Sequence, residues 1–143
     1  MSLFSALSIS SSGMSAQRTR AELLTENLAN SETTRTPEGG PYRRKDAIFT
    51  STPQSSPFSS VFENELAPEG VAVSEVVQDT REPDKRYLPG HPDADKDGYV
   101  AFPRINPAED MVDLMTASRG YQGNVAAMSA VKDMIAKSVD LFR

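Results

Sequence analysis

The sequence has no cysteine, no tryptophan and only one histidine, His91, among its 143 residues. Without cysteine there are no disulfides, thiolate metal sites or cysteine nucleophiles. One histidine supplies neither a second metal ligand nor a positioned partner for a nucleophile, so His91 is interpreted as a turn residue. The sequence also lacks a P-loop, a glycine-rich dinucleotide motif and a nucleophile elbow. It therefore predicts a protein that is not an enzyme and that uses no metal or cofactor.

Long apolar runs are missing as well. No stretch approaches the roughly 20 apolar residues that span a bilayer, and residues 1–15 lack the basic and apolar regions of a cleavable signal. We therefore expect no stable membrane insertion. The formal net charge is −5 without a basic stripe, which argues against nucleic acid as a partner. The short cluster Arg43-Arg44-Lys45 is followed at once by Asp46, and it is interpreted as a solvated strand end or an inter-subunit contact.

Proline is absent from both ends of the chain. All 10 prolines lie between Pro37 and Pro107, so the two ends can form long helices and the middle cannot. The sequence predicts an α+β chain with long terminal helices paired as a coiled coil and a small middle domain. Its three parts are an N-terminal coiled-coil helix in residues 1–30, a β-rich or irregular region in 31–106, and a C-terminal coiled-coil helix in 107–143.

The N-terminal segment carries a weak heptad stripe over residues 3–29. Its two series are Leu7, Met14, Ala21 and Leu28, and Leu3, Ser10, Gln17 and Leu24. The serines around position 10 and Gly13 are poor helix formers, so this helix is expected to need a partner surface in order to fold. The same small residues would permit close approach of another helix.

The C-terminal segment carries a stronger stripe over residues 107–142. Its two series are Leu114, Tyr121, Met128, Ile135 and Phe142, and Met111, Ser118, Val125, Lys132 and Val139. Asn106 is a suitable N-cap and Pro107 a suitable first helical residue. We expect the two end helices to pack on each other and on neighbouring subunits, because the proline-rich middle offers no further helix for a closed bundle and is too small to cover them.

The middle region predicts short strands joined by loops. Residues 42–50, 70–80 and 99–105 are candidate strands, the second being the clearest because of its valines. Residues 51–60 are rich in serine and proline and are expected to form a flexible loop. The sequence does not define the topology of residues 51–89.

One acidic motif needs a separate interpretation. Asp93, Asp95, Asp97 and Gly98 match the start of an EF-hand loop, but Arg104 stands where a bidentate glutamate is required. Prolines on both sides also disfavour the flanking helices. We therefore favour a tight turn in which aspartate side chains accept hydrogen bonds from backbone N–H groups. A small calcium-binding module or enzyme, centred on this motif and His91, stays as the alternative.

Several blocks resemble the flagellar axial proteins of the bacterial rod and hook, and most closely the C-type proximal rod proteins. They are residues 11–17 (SSGMSAQ) with 26–30 (ENLAN), 41–45 (PYRRK), 90–95 (GHPDAD) and 117–125 (ASRGYQGNV). The GHPDAD block resembles the C-type proteins in particular, whereas the other axial subunits share the terminal blocks. Another rod or hook protein is therefore the alternative within the family.

The resemblance implies a structural subunit of the basal-body rod that spans the periplasm and transmits torque from motor to hook. It implies self-assembly with other rod proteins, export through the flagellar type III apparatus, an outer β-rich domain and no cofactor. The predicted assembly interface, taken from the heptads and the shared blocks, consists of Leu7, Met14, Ala21, Leu24, Asn27, Leu28, Asn30, Met111, Leu114, Tyr121, Asn124, Val125, Met128, Ile135, Val139 and Phe142.

Overall fold

The computed structural model describes residues 3–53 and 69–140. Within them the chain forms helix α1 (Leu3–Ala29), strands β1 (Lys45–Pro53), β2 (Glu69–Gln78), β3 (Asp84–Tyr87) and β4 (Tyr99–Phe102), and helix α2 (Pro107–Asp140). The α+β class is confirmed, with one long helix at each end and small sheets between them. The predicted interface residue Phe142 and most of the predicted loop at 51–60 lie outside the described residues.

Both helices begin and end where local sequence signals place them. The side chain of Asn106 accepts a hydrogen bond from the backbone N–H of Ala108 at 3.2 Å, and Pro107 opens α2, so both predictions for this terminus are confirmed. Glu109 and Asp110 lie in the first turn and Lys137 in the last, each on the side that the helix dipole favours. Helix α1 ends at Ala29, one residue before a turn that begins at Asn30.

The two helices pack side by side in antiparallel orientation. Gly13 lies against Asn124, Gly120 lies against Gln17, and Arg20 forms an ion pair with Asp113 at 3.5 Å. Contacts therefore move towards the start of α2 as α1 advances. The covered positions of α2 recur every three or four residues, as an α-helix facing one partner requires: Asp110, Leu114, Ala117, Gly120, Asn124, Met128, Val131 and Ile135.

Strands β1 and β2 form an antiparallel pair that lies against α1. The register shifts between Ile48 and Phe49, which leaves Ser74 as the additional residue of a β-bulge. The Ser74 hydroxyl donates to the carbonyl of Ile48 at 3.1 Å. A second side-chain bond ties the sheet to the helix, because the backbone N–H of Val71 donates to the Ser12 hydroxyl at 3.1 Å. The expectation that the middle region leaves the helices uncovered is therefore wrong for α1.

Strands β3 and β4 form a separate antiparallel pair with its own small apolar cluster. Val100 and Phe102 of β4 are buried, and the Arg86 guanidinium stacks over the Phe102 ring at 4.7 Å. Tyr87 and Tyr99 meet edge to face with their ring centroids 5.4 Å apart. This hairpin and the loop between its strands form the second core of the described chain.

The strand predictions hold in position and differ at their ends. The structure begins β1 at Lys45 and continues it to Pro53, so the expected loop at 51–60 is wrong for its first three residues. The other two predicted strands are shorter than expected, because β2 ends at Gln78 and β4 at Phe102. The sequence does not predict strand β3, because DKRY shows no apolar alternation. In the structure all four of its residues are exposed.

Candidate functional site

The first candidate surface is the seam between α1 and α2. A Cβ atom on Gly13 would lie 3.0 Å from the side-chain amide atoms of Asn124, and one on Gly120 would lie 3.2 Å from Cδ of Gln17. Each helix therefore supplies one glycine and one amide side chain to the seam. Asn124 Nδ2 donates back to the carbonyl of Gly120 at 2.9 Å, whereas Gln17 Oε1 is buried without a hydrogen-bond partner among the described residues.

The structure brings 11 of the 15 described interface residues to buried or half-buried positions in the single chain. Leu24 and Asn27 are buried, and the following are half-buried: Leu7, Met14, Ala21, Leu28, Asn30, Leu114, Asn124, Met128 and Ile135. The remaining described ones are exposed: Met111, Tyr121, Val125 and Val139. The companion series of the α2 heptads therefore does not face α1. The residues that do are one position earlier, at Asp110, Ala117, Asn124 and Val131.

Three of these exposed residues, together with Met115, give α2 an apolar face that no other described part of the chain covers. We call it the outer stripe, and it consists of Met111, Met115, Val125 and Val139. The exposed fractions of Met111, Met115 and Val139 are 51%, 60% and 60%. Leu114 and Met115 line a shallow groove beside Ser118, Arg119 and Gln122. Ser118, Gln122, Ser129 and Lys132 lie between these side chains on the same side of α2, so the outer stripe is a discontinuous apolar surface available to a protein partner.

The second candidate site is a buried polar junction at the end of α1. Asn27 is completely buried, and its side chain makes three hydrogen bonds to the segment before and at β1. Its Nδ2 donates to the carbonyl of Lys45 at 2.8 Å, while its Oδ1 accepts from the N–H of Lys45 at 2.9 Å and from the Tyr42 hydroxyl at 3.0 Å. Asn27 thus pairs with a strand backbone as a neighbouring strand would, and it fixes β1 on α1.

A buried ion pair joins the same segment to α2. Arg44 Nη2 lies 3.0 Å from Oδ1 of Asp110, whose side chain is 0% exposed. This contact lacks hydrogen-bond geometry, and both carboxylate oxygens of Asp110 have no hydrogen-bond partner in the described structure. Arg44 also reaches Asp46 at 3.3 Å. The interpretation of the basic cluster as a solvated strand end is therefore wrong for Arg44, whose side chain is 17% exposed.

Burial shifts the ionisation of two groups in this junction. It raises the pKa of the Asp110 carboxyl, an effect that the Arg44 guanidinium opposes. Because the raised pKa belongs to the folded state, Asp110 contributes less stability as the pH rises above the ordinary aspartate value. Burial and the nearby Glu26 carboxylate raise the pKa of Tyr42 to about 12. The Tyr42 phenol therefore stays protonated and remains a donor to Asn27 at neutral pH.

The acidic motif forms the tight turn that the sequence favours. Oδ1 of Asp95 accepts hydrogen bonds from the backbone N–H groups of Asp97 at 3.0 Å and Tyr99 at 2.8 Å, and Gly98 has a φ of +82°. The His91 ring accepts at Nδ1 from the N–H of Asp93 at 3.1 Å, as the interpretation of His91 as a turn residue predicts. Asp93 Oδ2 accepts from the Thr34 hydroxyl at 2.8 Å, which ties this loop to the turn after α1.

Sequence reasoning did not identify the partners that complete the junction. The sequence places Tyr42 in the PYRRK block and at the start of a candidate strand, Arg44 in that block and in the basic cluster, and Asp110 in the first turn of α2, without pairing any of them. The available signal was the position of Asp110 seven residues before Ala117, in the heptad series that faces α1. Nothing in the sequence pairs Arg44 with Asp110, because 65 intervening residues separate them.

Two further findings bear on the kind of site present. Among residues 3–53 and 69–140, no three histidine, cysteine, aspartate or glutamate side chains are grouped so that they could hold a metal ion. No helix in the same ranges is long and apolar enough to cross a membrane.

Comparison with known proteins agrees with this picture. The model of the family described as "Flagellar basal body rod FlgEFG protein C-terminal" matches residues 96–141, which include all of α2. A "Flagellar basal-body rod protein FlgC" from Borreliella burgdorferi is 36% identical over 151 residues, covering 100% of this chain and 99% of that protein. Proteins with the same name from Bacillus subtilis and Escherichia coli O157:H7 are 38% and 37% identical, each covering 99% of this chain and 99% and 98% of the relative. The chain therefore belongs to the FlgC family of flagellar basal-body rod proteins.

Proposed function

We propose that this chain is a structural subunit of the proximal rod that assembles helically with copies of itself and with other rod proteins into a torque-transmitting shaft. Membership in the FlgC family makes it a rod protein of the bacterial flagellar basal body. The observation that carries the proposal is the similarity to FlgC proteins over the whole chain. The outer stripe supports it, because an assembling subunit must keep an apolar surface for its neighbours.

The interface between subunits is proposed to lie on the outer stripe. We propose that the stripe contacts a different surface of the next subunit, so that the contact is heterologous and not a contact of the stripe with itself. Head-to-tail contacts of this kind produce open helical assemblies when the rotation does not close. The exposed residues Met111, Tyr121, Val125 and Val139 belong to this proposed interface, as does Phe142, which lies outside the described residues.

We infer that α1 and α2 pair as a two-stranded antiparallel coiled coil within each subunit. The covered residues of α2 recur at heptad positions, and the antiparallel contacts from Arg20 to Gly13 extend over two turns of α1. A paired unit would present its outer stripe as a straight edge of about 50 Å, from the 34 residues of α2 at 1.5 Å each. The half-buried interface residues then act by shaping the pair, and the exposed ones by contacting neighbours.

A structural role without catalysis is part of the proposal. His91 and Asp95, the residues of the alternative calcium or enzyme site, are both engaged with backbone N–H groups. Their side chains stabilise the turn, and the related proteins are named as rod proteins. Export through the flagellar type III apparatus is proposed from the resemblance to axial proteins. Secretion of the chain by a flagellated host, and its loss when the export gate is deleted, would test this route.

The outer stripe can be tested with one charge placed on either flank of α2. Val125→Asp puts a carboxylate into the stripe at a position that is 41% exposed, so the monomer should fold and subunit contacts should fail. Ala130→Asp is the matched control, because Ala130 is exposed on the other flank of the same helix. In a host without its own copy, Val125→Asp should abolish swimming and rod formation, and Ala130→Asp should preserve both. Swimming by the Val125→Asp strain would refute the proposed interface.

A further inference from the structure

The helix seam contains two contacts that mirror each other. Gly13 of α1 receives the side chain of Asn124, and Gly120 of α2 receives the side chain of Gln17. In both helices the glycine precedes the amide residue by four positions, so each glycine and amide share one face. We call Gly13–Asn124 and Gly120–Gln17 the two glycine contacts. Because the helices are antiparallel, the glycine of each helix lies opposite the amide residue of the other.

Glycine has a low helix propensity, which makes it unfavourable at these positions. It destabilises a helix interior relative to alanine, so its presence within both helices needs a compensating interaction. Close approach provides one, because a methyl group at Gly13 would meet the Asn124 amide at 3.0 Å. Gly123, by contrast, has nothing within 4 Å of its ideal Cβ position. At Gly13 and Gly120, therefore, a side chain of the other helix lies close to the space that a Cβ atom would take, whereas at Gly123 that space is open.

The mirrored arrangement discriminates between registers of the two helices. Sliding α2 by about one turn in one direction would bring Gly13 opposite Gly120, leaving an unfilled space and placing Asn124 opposite Ile9. Sliding it by one turn in the other direction would bring Gln17 opposite Asn124, with two amide side chains in one space. Leucine-like heptad residues tolerate such slips more easily, because one apolar side chain replaces another.

We propose that the two glycine contacts set the axial register of α1 and α2, and that Gly13, Gln17, Gly120 and Asn124 are positioning residues for rod assembly. A single polar residue at a buried coiled-coil position is known to specify register at some cost in stability. Gln17 Oε1, which is buried without a partner, shows such a cost here. The register decides where the outer stripe lies relative to β1 and β2. The part concerning assembly rests on the proposed function, whereas the register itself does not.

Exchange of a glycine and an amide between the helices tests the proposal. Gly13→Asn alone places two asparagines in one space, and adding Asn124→Gly restores one glycine and one asparagine with their helices exchanged. The double variant keeps the glycine and asparagine content of the wild type, so helix propensity is nearly matched. Gln17→Gly with Gly120→Gln is the equivalent exchange at the second contact. Gly123→Ala is the control, because it raises helix propensity without touching α1.

The register can be measured by double electron–electron resonance in the purified full-length chain. The absence of native cysteine allows spin labels to be placed cleanly at Thr25 and Ser129, which are exposed on different helices. These positions are offset along the pair, so a slip of one turn changes their separation by about 5 Å. Wild type and Gly123→Ala should share one distance peak. Gly13→Asn should displace or divide that peak, and the exchange variant should restore it.

Several results would overturn the inference. They are a wild-type distribution without a preferred distance, a Gly13→Asn distribution identical to wild type, or failure of both exchange variants to restore the peak.

Swimming assays separate this inference from the proposed function. Gly13→Asn should lose swimming together with its distance peak, whereas Val125→Asp should lose swimming with the wild-type peak intact. Restored distance without restored swimming in the exchange variant would contradict the assembly role and leave the register assignment standing.

Discussion

At the scale of single residues, Asn27 carries more structural weight than its position in a short helix-end motif suggests. Its amide matches the N–H and carbonyl of Lys45 and also accepts from Tyr42, so three groups from another segment converge on one side chain. A leucine of similar size would leave all three unpaired in a buried place. Asparagine is required here because only an amide offers a donor and an acceptor side by side.

Asn27→Ala is expected to destabilise the chain by about 2–4 kcal/mol, since the buried N–H and carbonyl of Lys45 lose their partners. Urea denaturation followed by circular dichroism measures this loss. Asn30→Ala is a suitable comparison, because both side-chain bonds of Asn30 are local: its Nδ2 donates to Glu26 O, and its Oδ1 accepts from the Thr33 hydroxyl. This substitution should cost about 1 kcal/mol or less. Equal losses in the two variants would contradict the special role of Asn27.

Asp79 should dominate the acid sensitivity of the β1–β2 region. Hydrogen bonds from Arg81 lower the pKa of the Asp79 carboxyl to about 2. The depressed value belongs to the folded state, so this contribution to stability is present above the ordinary aspartate pKa and is lost as the pH falls towards 2. Carboxyl carbon NMR should show Asp79 titrating near 2 in wild type. Arg81→Gln should move that titration upward, and an unchanged midpoint would contradict the assigned cause.

At the scale of secondary-structure elements, α1 occupies the centre of the described molecule. It contacts α2 along the seam and β1 and β2 through the sheet, whereas α2 has contacts with α1 alone among the elements. This explains how a helix with six serines is held in place. The partner surface that its weak propensity requires is supplied by both α2 and the β1–β2 pair.

The end of α2 should be the least protected helical segment. In the antiparallel register, the first described residue of α1 lies opposite roughly residue 134, so residues 136–140 extend beyond it. No neighbouring element within residues 3–53 and 69–135 covers their backbone hydrogen bonds. Amide exchange measured by mass spectrometry should therefore be fast at 136–140 and slow at 113–131. Uniform protection along α2 in the monomer would show that another surface covers this end.

At the scale of the whole molecule, the two sides of α2 should separate folding from assembly. Leu114→Asp places a charge in the seam, so it should lower the free energy of unfolding by about 2–4 kcal/mol and abolish swimming. Val125→Asp should abolish swimming with a change of less than about 1 kcal/mol, because its side chain faces water in the free chain. Thermal unfolding of both proteins, combined with swimming assays, distinguishes the two effects. A marginal loss of stability in Leu114→Asp would place the seam elsewhere.

Some features could be determined from the sequence because their causes are local. The absence of proline, the Asn106 cap and heptad spacing defined both helices, and the valines identified β2. The turn at Asp95 followed from short-range side-chain chemistry. The resemblance identified the axial family, since several distinctive blocks at both ends and in part of the middle occur in their expected order.

Other features were decided only by the tertiary structure, because they depend on groups that are distant in the chain. No pattern in the sequence pairs Arg44 with Asp110, or Asn27 with the backbone of Lys45. The sequence also placed the companion heptad series of α2 on the seam, one position away from the residues that face α1. Heptad spacing alone permits either the companion series or the series one position earlier to face α1, since both series are partly apolar. The close contacts at Gly13 and Gly120 select one register, and they leave the other series exposed as the outer stripe.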